Sequence, residues 1–278
     1  MEQAINANKR ISKRRLTEYL QTLSDRDKAV LRSIRRCRFI QTDQVGRLHF
    51  QEAKTPSARL RAANRALIKL HGLGLIQSLN RRIGGVRAGS TSYVWTIKAA
   101  GAALLDLVDS KPFKPVRAYE PTYFFLKHTL AVVEVYARLH TMSGVKLITT
   151  ELEPTCWRNY MTARDGNVIL KPDLYAVTAV GGYEDYWFFE VDLDTETPKR
   201  IVRKCEYYGK YYLTGQEQKS TGVFPRVVWI APDEKRRATL QRHISANLSG
   251  YQELFTVITL EDLTALMQTG APPVLSQA

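Results

Sequence analysis

The sequence has few cysteines and no long apolar run. Three cysteines occur among 278 residues, and Cys37, Cys156 and Cys205 lie too far apart for a zinc knuckle or a disulfide framework. This usage is typical of a reducing cytoplasm, where we expect the protein to be located. No stretch approaches the roughly 18–20 apolar residues of a membrane helix. The N-terminal segment has no apolar stretch after its charges, so we expect no signal peptide and no membrane partner.

Two catalytic signatures are also missing from the sequence. Gly84-Gly85 is not followed by Gly-Lys-Ser/Thr, so a Walker-type phosphate loop is not predicted. The histidines do not form the pair that would hold the metal of a tyrosine relaxase. They are scattered as His49, His71, His128, His140 and His243.

Acidic residues are scarce in the first part of the chain. Residues 1–117 hold 24 lysines and arginines against 8 aspartates and glutamates, a net charge of +16. Residues 118–278 hold 17 against 19, a net charge of −2, and no acidic residue lies between Glu52 and Asp106. Such a concentration of positive charge predicts a domain that binds a polyanion, with nucleic acid as the first candidate. An anionic membrane surface is the second candidate, but no predicted helix has a strong apolar face opposite a basic one.

Residues 24–110 have the element order of a winged helix-turn-helix. Ser24 and Asp27 predict a variant capping box at the start of the first helix. The remaining elements are predicted as helices from Thr42 to about Leu48 and from Pro56 to about His71, strands at Leu75–Leu79 and Ser92–Ile97, and a helix from Lys98 to about Val108.

The third predicted helix separates an apolar stripe from a basic face. Its buried stripe is predicted to be Leu60, Ala63, Leu67 and Leu70. In a winged helix-turn-helix this helix enters the major groove, and a basic wing meets phosphates or the minor groove. The alternative is that the arginines form a solvated face without a partner. The predicted DNA-binding residues are Arg59, Arg61, Arg65 and Lys69 on the helix and Arg81, Arg82 and Arg87 on the wing.

The full domain prediction has five parts. A basic N-terminal segment covers 1–23, the winged helix 24–110, a proline-containing linker 111–121, an α/β domain 122–270 and a tail 271–278. The α/β domain begins with a helix and a strand, continues with a hairpin, and then alternates helix and strand. Its predicted strands are Lys146–Thr150, Val168–Val180, Tyr183–Leu193, Phe224–Ile230 and Thr256–Leu260, and its later helices lie at about 198–213, 233–247 and 261–268.

The predicted hairpin brings carboxylates together. With a two-residue turn at Gly181-Gly182, residue numbers of cross-strand partners add to 363, so Asp173 faces Glu190. By the same rule Lys171 faces Asp192. Strand alternation places Asp192 on the same sheet face as Asp173 and Glu190, whereas the opposite face is apolar.

Opposed carboxylates repel one another unless a cation or a proton lies between them. Oxygen ligands at this spacing suit Mg²⁺ or Mn²⁺, so the predicted metal ligands are Asp173, Glu190 and Asp192. Such a metal could activate water against a phosphodiester, and Lys204 on the next helix could hold the water or the phosphate. The alternatives are that the carboxylates extend into solvent or that Lys171 neutralises them.

Two resemblances extend this interpretation. Pro172-Asp173 followed by Glu190-Val-Asp192 resembles the PD-(D/E)xK, or restriction-endonuclease-like, fold, which implies metal-binding Asp and Glu and a catalytic Lys. Asp192 occupies the position of that lysine, and the resemblance implies that Lys204 replaces it. Residues 25–245 resemble the replication-relaxation family of plasmids and integrative elements, most specifically in the string from Phe189 to Glu196.

The resemblance implies a DNA-binding protein of a mobile element that acts in replication or transfer. Three functions are compatible with it: metal-dependent nicking through Asp173, Glu190, Asp192 and Lys204; non-catalytic origin binding with a degenerate nuclease-like domain; and nucleophilic attack by a tyrosine. Double-stranded DNA is the expected partner, and a second copy of the chain or other replication and transfer proteins are further candidates. The candidate nucleophiles are Tyr207, Tyr208, Tyr211 and Tyr212.

Overall fold

The protein is mixed α/β and divides into two compact units, Met1–Val133 and Glu134–Ala278. The computed structural model describes residues 11–79, 83–84, 91–110, 120–162, 166–248 and 250–270. The boundary between the units falls within a helix that spans Tyr123–Thr141. Among the described helices, none combines the length and apolar character needed to cross a membrane.

The first unit combines helices with a small antiparallel sheet. Its described elements begin with α1 (Lys13–Thr22), α2 (Asp25–Cys37), β1 (Ile40–Gln41), α3 (Thr42–His49) and α4 (Pro56–Gly72). They continue with β2 (Ile76–Ser78), β3 (Ile83–Gly84), β4 (Thr91–Ser92), β5 (Val94–Ile97), α5 (Ala99–Val108) and α6 (Tyr123–Thr141), which crosses the boundary. The three-stranded sheet has the order β1-β5-β2, and β3 pairs with β4.

Local capping signals define where the helices of this unit begin. Ser24 and Asp27 form the predicted capping box of α2, since each side chain bonds the other residue's backbone N–H. Thr55 caps α4 and accepts from the Ala58 N–H at 3.1 Å, directly before Pro56. Helix α1, capped by Ser12, was not predicted within the basic N-terminal segment.

The buried stripe of α4 consists of Ala63, Leu67 and Leu70, which are fully buried as predicted. The prediction for Leu60 was wrong, because this side chain is 41% exposed. Helix α3 approaches α4 beside Arg59 and Ala63 instead. An ideal Cβ at Gly46 of α3 would lie 3.3 Å from the Arg59 Cγ and 3.7 Å from the Ala63 Cβ.

The second unit contains a five-stranded mixed sheet. Its described elements are β6 (Lys146–Leu152), β7 (Arg158–Thr162), β8 (Gly166–Leu170), β9 (Leu174–Val180), β10 (Tyr183–Val191), α7 (Pro198–Leu213), α8 (Gln216–Thr221), β11 (Arg226–Ala231), α9 (Glu234–Asn247), β12 (Phe255–Thr259) and α10 (Leu263–Thr269). The order is β12-β11-β10-β9-β6, with parallel pairs from β10 to β12 and antiparallel pairs from β10 to β6. Strands β7 and β8 form a separate hairpin.

The register of the β9–β10 hairpin is confirmed. Tyr183 pairs with Val180 and Phe189 pairs with Leu174, as the turn at Gly181-Gly182 requires. Both turn glycines have positive φ, which a two-residue hairpin loop of this kind demands.

The predicted single strand at 168–180 is two strands, separated by Lys171, Pro172 and Asp173. Pro172 has no backbone N–H to donate to a sheet, which favours the break at this point. Residues 166–170 therefore belong to the β7–β8 hairpin, whereas β9 begins at Leu174. The short helix α8 was also not predicted.

Both faces of the five-stranded sheet are covered. On one face, Phe188 and Trp229 pack with α7 residues such as Tyr208 and α9 residues such as Leu240. Trp187 points to the other face and is equally buried. Glu190 lies on the same face as Phe188, so the predicted carboxylate face is part of the core. A buried charge there is costly unless it is paired and hydrogen-bonded.

Candidate functional site

The outer face of α4 carries exposed arginines. Arg61 and Arg65 are exposed and lie one helical turn apart, and Ile68, 65% exposed, follows on the same side. Arg59 is half-buried near α3. The predicted wing residues Arg81, Arg82 and Arg87 lie outside the described residues.

Lys69 has a structural partner within the first unit. Its Nζ lies 2.6 Å from Oδ2 of Asp27, the capping residue of α2. Burial would raise the pKa of Asp27, but bonds from Lys69 and Ser24 hold that pKa below its ordinary value. The Lys69 side chain is 46% exposed and connects the end of α4 to the beginning of α2. This contact gives Lys69 a role in stability in addition to its predicted role in DNA binding.

Glu190 is the centre of a buried polar cluster in the second unit. Strand β10 places this carboxylate beneath α7, where its side chain is 0% exposed. The Lys204 Nζ forms an ion pair with Oε2, and the Tyr208 hydroxyl donates to Oε1 at 2.5 Å. Lys204 and Tyr208 are four residues apart, so the helical repeat points both toward the same carboxylate.

Burial raises the pKa of Glu190 to about 8, because removing a carboxylate from water penalises its charged form. Lys204 opposes this shift, whereas the neighbouring Asp173 carboxylate adds to it. Burial alone would lower the pKa of Lys204, but Glu190 and Asp173 raise it above its ordinary value. The cluster therefore retains a cation beside a carboxyl group that titrates near neutral pH.

Asp173 is tied to the strand that carries Glu190. Its backbone N–H donates to the Phe189 carbonyl at 3.1 Å, and its Oδ2 accepts from the Val191 N–H at 2.7 Å. These two bonds continue the hairpin pattern beyond the last regular pair of β9. They bring Asp173 beside Glu190, in agreement with the electrostatic effect of Asp173 on Glu190.

Asp192 forms an ion pair with Arg236 of α9. The same guanidinium lies 2.9 Å from Asp194 Oδ1 and donates to the Glu196 carbonyl at 2.7 Å. Arg236 thus holds the whole segment that leads from β10 to α7. The ammonium group of the cross-strand residue Lys171 instead lies 4.7 Å from the centre of the Trp157 ring.

The three carboxylates can be compared with the requirements of a divalent cation. In the part of the chain that the structure describes, no group of three or more His, Cys, Asp or Glu residues is arranged to hold a metal ion. A cation bound by Glu190 and Asp192 would compete with Lys204 and Arg236 for the same oxygens. The present arrangement fits two internal ion pairs rather than an open oxygen cage, and Mg²⁺ or Mn²⁺ binding stays a prediction.

The candidate tyrosine nucleophiles differ in their surroundings. The Tyr208 hydroxyl donates to Glu190, and the Tyr211 hydroxyl donates to Glu217 at 2.8 Å. Burial and these carboxylates raise the pKa of both phenols, which opposes formation of a nucleophilic phenolate. Tyr207 is half-buried and accepts from the Arg203 Nε at 3.2 Å.

Sequence reasoning missed two residues of this region. Tyr208 was named only as a candidate nucleophile, although its spacing of four residues from Lys204 could have indicated a shared target. Arg236 has no sequence signal that links it to Asp192, because the contact depends on α9 packing beside the end of β10.

The chain matches a known protein family. A family profile described as replication-relaxation matches residues 31–227, which is more than half of the chain. The matched region includes α4 and the residues Asp173, Glu190 and Lys204, but ends before Arg236. No curated protein and no solved structure matches the chain.

Proposed function

Because the chain belongs to the replication-relaxation family, we propose that it binds double-stranded DNA during replication of a plasmid or another mobile element. In this proposal the first unit is a winged helix-turn-helix, and α4 is the helix that enters the major groove. The observation that carries the proposal is the outer face of α4, where Arg61 and Arg65 are exposed in a stretch without acidic residues.

The chemistry of this face suits a base edge as well as a phosphate. Arginine can bond guanine O6 and N7 together, and an apolar side chain can contact a thymine methyl group. Arg61 and Arg65 provide the first kind of group, and the exposed Ile68 provides the second. On a helix face that contacts only water, the exposed Ile68 would make no favourable contact. Single exposed apolar residues do occur on protein surfaces.

The test is fluorescence anisotropy with labelled duplex DNA of random sequence. The double variant Arg61→Gln/Arg65→Gln should weaken binding at least about tenfold, since loss of each base or phosphate contact costs about 1–3 kcal/mol. The matched control is Arg14→Gln/Arg32→Gln, which removes two exposed arginines from α1 and α2 instead. Equal loss of affinity in both variants would contradict the assignment of α4, and no binding by the wild-type protein would refute the function.

A second candidate function is metal-dependent nicking of DNA in the second unit. The observation that favours it is the convergence of Asp173, Glu190 and Lys204 at the end of β10. These are the residue types that the resemblance to PD-(D/E)xK nucleases requires, with Lys204 supplied by α7. Activity would require that Lys204 leave the Glu190 oxygen that a divalent cation would bind.

Conversion of supercoiled plasmid to the nicked form, with Mg²⁺ or Mn²⁺, tests this candidate. Glu190→Ala should abolish nicking, whereas Glu261→Ala, at an exposed glutamate outside α7, should leave it unchanged. Equal nicking by the two variants would exclude Glu190 from catalysis. Specific DNA binding without nicking under either cation would instead support a non-catalytic replication or transfer factor.

A further inference from the structure

Helix α7 has a net charge of +4, although the unit to which it belongs is slightly acidic. Residues 118–278 have a net charge of −2, yet α7 contains five basic residues and the single acidic residue Glu206. One of the five, Lys204, points to Glu190, and Arg200 lies 3.1 Å from Glu196 at the beginning of the helix. The other three are Lys199, Arg203 and Lys210.

These three residues lie on one face of α7 together with Tyr207 and the exposed acidic residue Glu206, which lies between Arg203 and Lys210. We call this surface, consisting of Lys199, Arg203, Tyr207 and Lys210, the α7 basic face. The members are separated by intervals of four, four and three residues, which places them along one side of the helix. Ile201, Cys205 and Tyr208 are fully buried on the opposite side, so the orientation of the helix is determined by the core.

The tyrosine ring orders the neighbouring cations. The Arg203 guanidinium and the Lys210 ammonium group each lie 5.7 Å from the centre of the Tyr207 ring. The Arg203 Nε also donates to the Tyr207 hydroxyl at 3.2 Å, and the Tyr160 hydroxyl donates to the Tyr207 carbonyl at 3.2 Å. Cations held in this way lose less conformational freedom on binding a polyanion than freely rotating side chains.

The length of the face agrees with a nucleic-acid backbone. Eleven residues of α-helix rise by about 16 Å, and one strand of B-DNA carries a phosphate every ~3.4 Å along its axis. Three cations spread over this distance can therefore meet separate phosphates of one strand. Lys204 is not part of this face, because its ammonium group turns inward to the buried Glu190.

We propose that the α7 basic face is a second contact with the DNA backbone, distinct from α4. The proposal rests on the DNA-binding function proposed above. It gives the second unit a way to hold DNA despite its negative net charge, and it applies whether or not that unit cleaves the strand. The contact reads no base sequence, since phosphates are the groups it recognises.

The experiment compares two charge-matched triple variants of the full chain. Lys199→Gln/Arg203→Gln/Lys210→Gln removes the α7 basic face. Lys219→Gln/Lys235→Gln/Arg242→Gln removes the same number of exposed lysines and arginines from α8 and α9. Circular dichroism verifies that both variants remain folded.

The readout is the salt dependence of affinity for a labelled random-sequence duplex of about 60 base pairs, between about 50 and 200 mM KCl. Each lost phosphate contact reduces the log–log slope by about 0.9, so the α7 variant should have a slope shallower by about 2.7. The control variant should keep the wild-type slope. Equal slopes for the two variants would overturn the proposal, whereas absence of DNA binding by the wild-type chain would refute the proposed function itself.

A second measurement needs no variant. Amine-reactive labelling of the wild-type protein, read by mass spectrometry, should show protection of Lys199 when DNA is added. Lys219 and Lys235 should remain as reactive as in the free protein. Unchanged labelling of Lys199 in a DNA-saturated sample would also overturn the proposal.

Discussion

Replacing Glu190 by glutamine isolates the ionisation of one fully buried carboxyl group. Glutamine has nearly the same shape and can still accept from Tyr208, but it cannot carry a negative charge. In the wild-type protein, burial raises the pKa of Glu190 to about 8, compared with an ordinary value of 4.5. The substitution therefore removes a group whose pKa differs between the folded and the unfolded chain.

The direction of the effect follows from this difference. Between about pH 4.5 and 8 the folded protein keeps a proton that the unfolded chain has released. Glu190 therefore contributes stability at low pH, and this contribution is lost as the pH rises through about 8. About two pH units separate pH 6 from the folded-state pKa, so the free energy of unfolding should fall by about 3 kcal/mol from pH 6 to pH 9.

Urea unfolding followed by tryptophan fluorescence measures this quantity. Three of the four tryptophans, Trp157, Trp187 and Trp229, belong to the second unit and report mainly on its unfolding. The free energy of unfolding of the wild type minus that of Glu190→Gln should fall by about 3 kcal/mol from about pH 6 to pH 9. Taking the difference cancels groups that titrate alike in both proteins.

Glu206→Gln is the control, because Glu206 is an exposed glutamate on the same helix. Its free energy of unfolding should follow that of the wild type over the whole pH range. A constant difference between wild type and Glu190→Gln would refute the reasoning, since it would mean that Glu190 does not change its protonation between these pH values.

Three further predictions concern other buried or close contacts. Arg236→Met should lower the free energy of unfolding by ~3–5 kcal/mol in urea titrations, because it leaves the buried Asp192 carboxylate without its cation; a loss below ~1 kcal/mol would show that solvent compensates the charge. Gly101→Ala should lower thermal stability by an amount equivalent to ~1–3 kcal/mol, since the new Cβ would lie 2.3 Å from the Leu75 carbonyl oxygen. An unchanged melting temperature would contradict that close approach. Lys69→Met should cost at most ~1 kcal/mol in chemical denaturation, because its ion pair is partly exposed; a loss of several kcal/mol would assign it a larger structural role.

Local sequence signals predicted much of the second unit correctly. The Gly181-Gly182 turn determined the strand register, because a two-residue loop permits only one pairing of the flanking residues. The bounds of α7 matched its predicted range, since Thr197 and Pro198 mark the beginning of a helix. The break before β9 was missed, although Pro172 is a residue that interior strands avoid.

For the charged residues, too, the sequence predicted the local placement but not the tertiary surroundings. Alternation along β10 was enough to place Glu190 and Asp192 on one side of the sheet. It did not reveal that α7 and α9 cover that side. Apolar and charged residues alternate along the end of β10 in the same way as along a strand with one face in water. Because these helices cover the carboxylates, Lys204 and Arg236 rather than water balance the charges of Glu190 and Asp192.

The sequence by itself determined the register of the β9–β10 hairpin, the bounds of α7 and the concentration of basic residues before residue 118, because these depend on neighbours along the chain. The tertiary structure decided which cation meets which carboxylate: Lys69 with Asp27, Lys204 with Glu190 and Arg236 with Asp192. These partners are separated by 14 to 44 positions, and no local propensity links them. Their pairing follows from the burial of apolar stripes, which brings helices and strands together and leaves each enclosed carboxylate beside a cation.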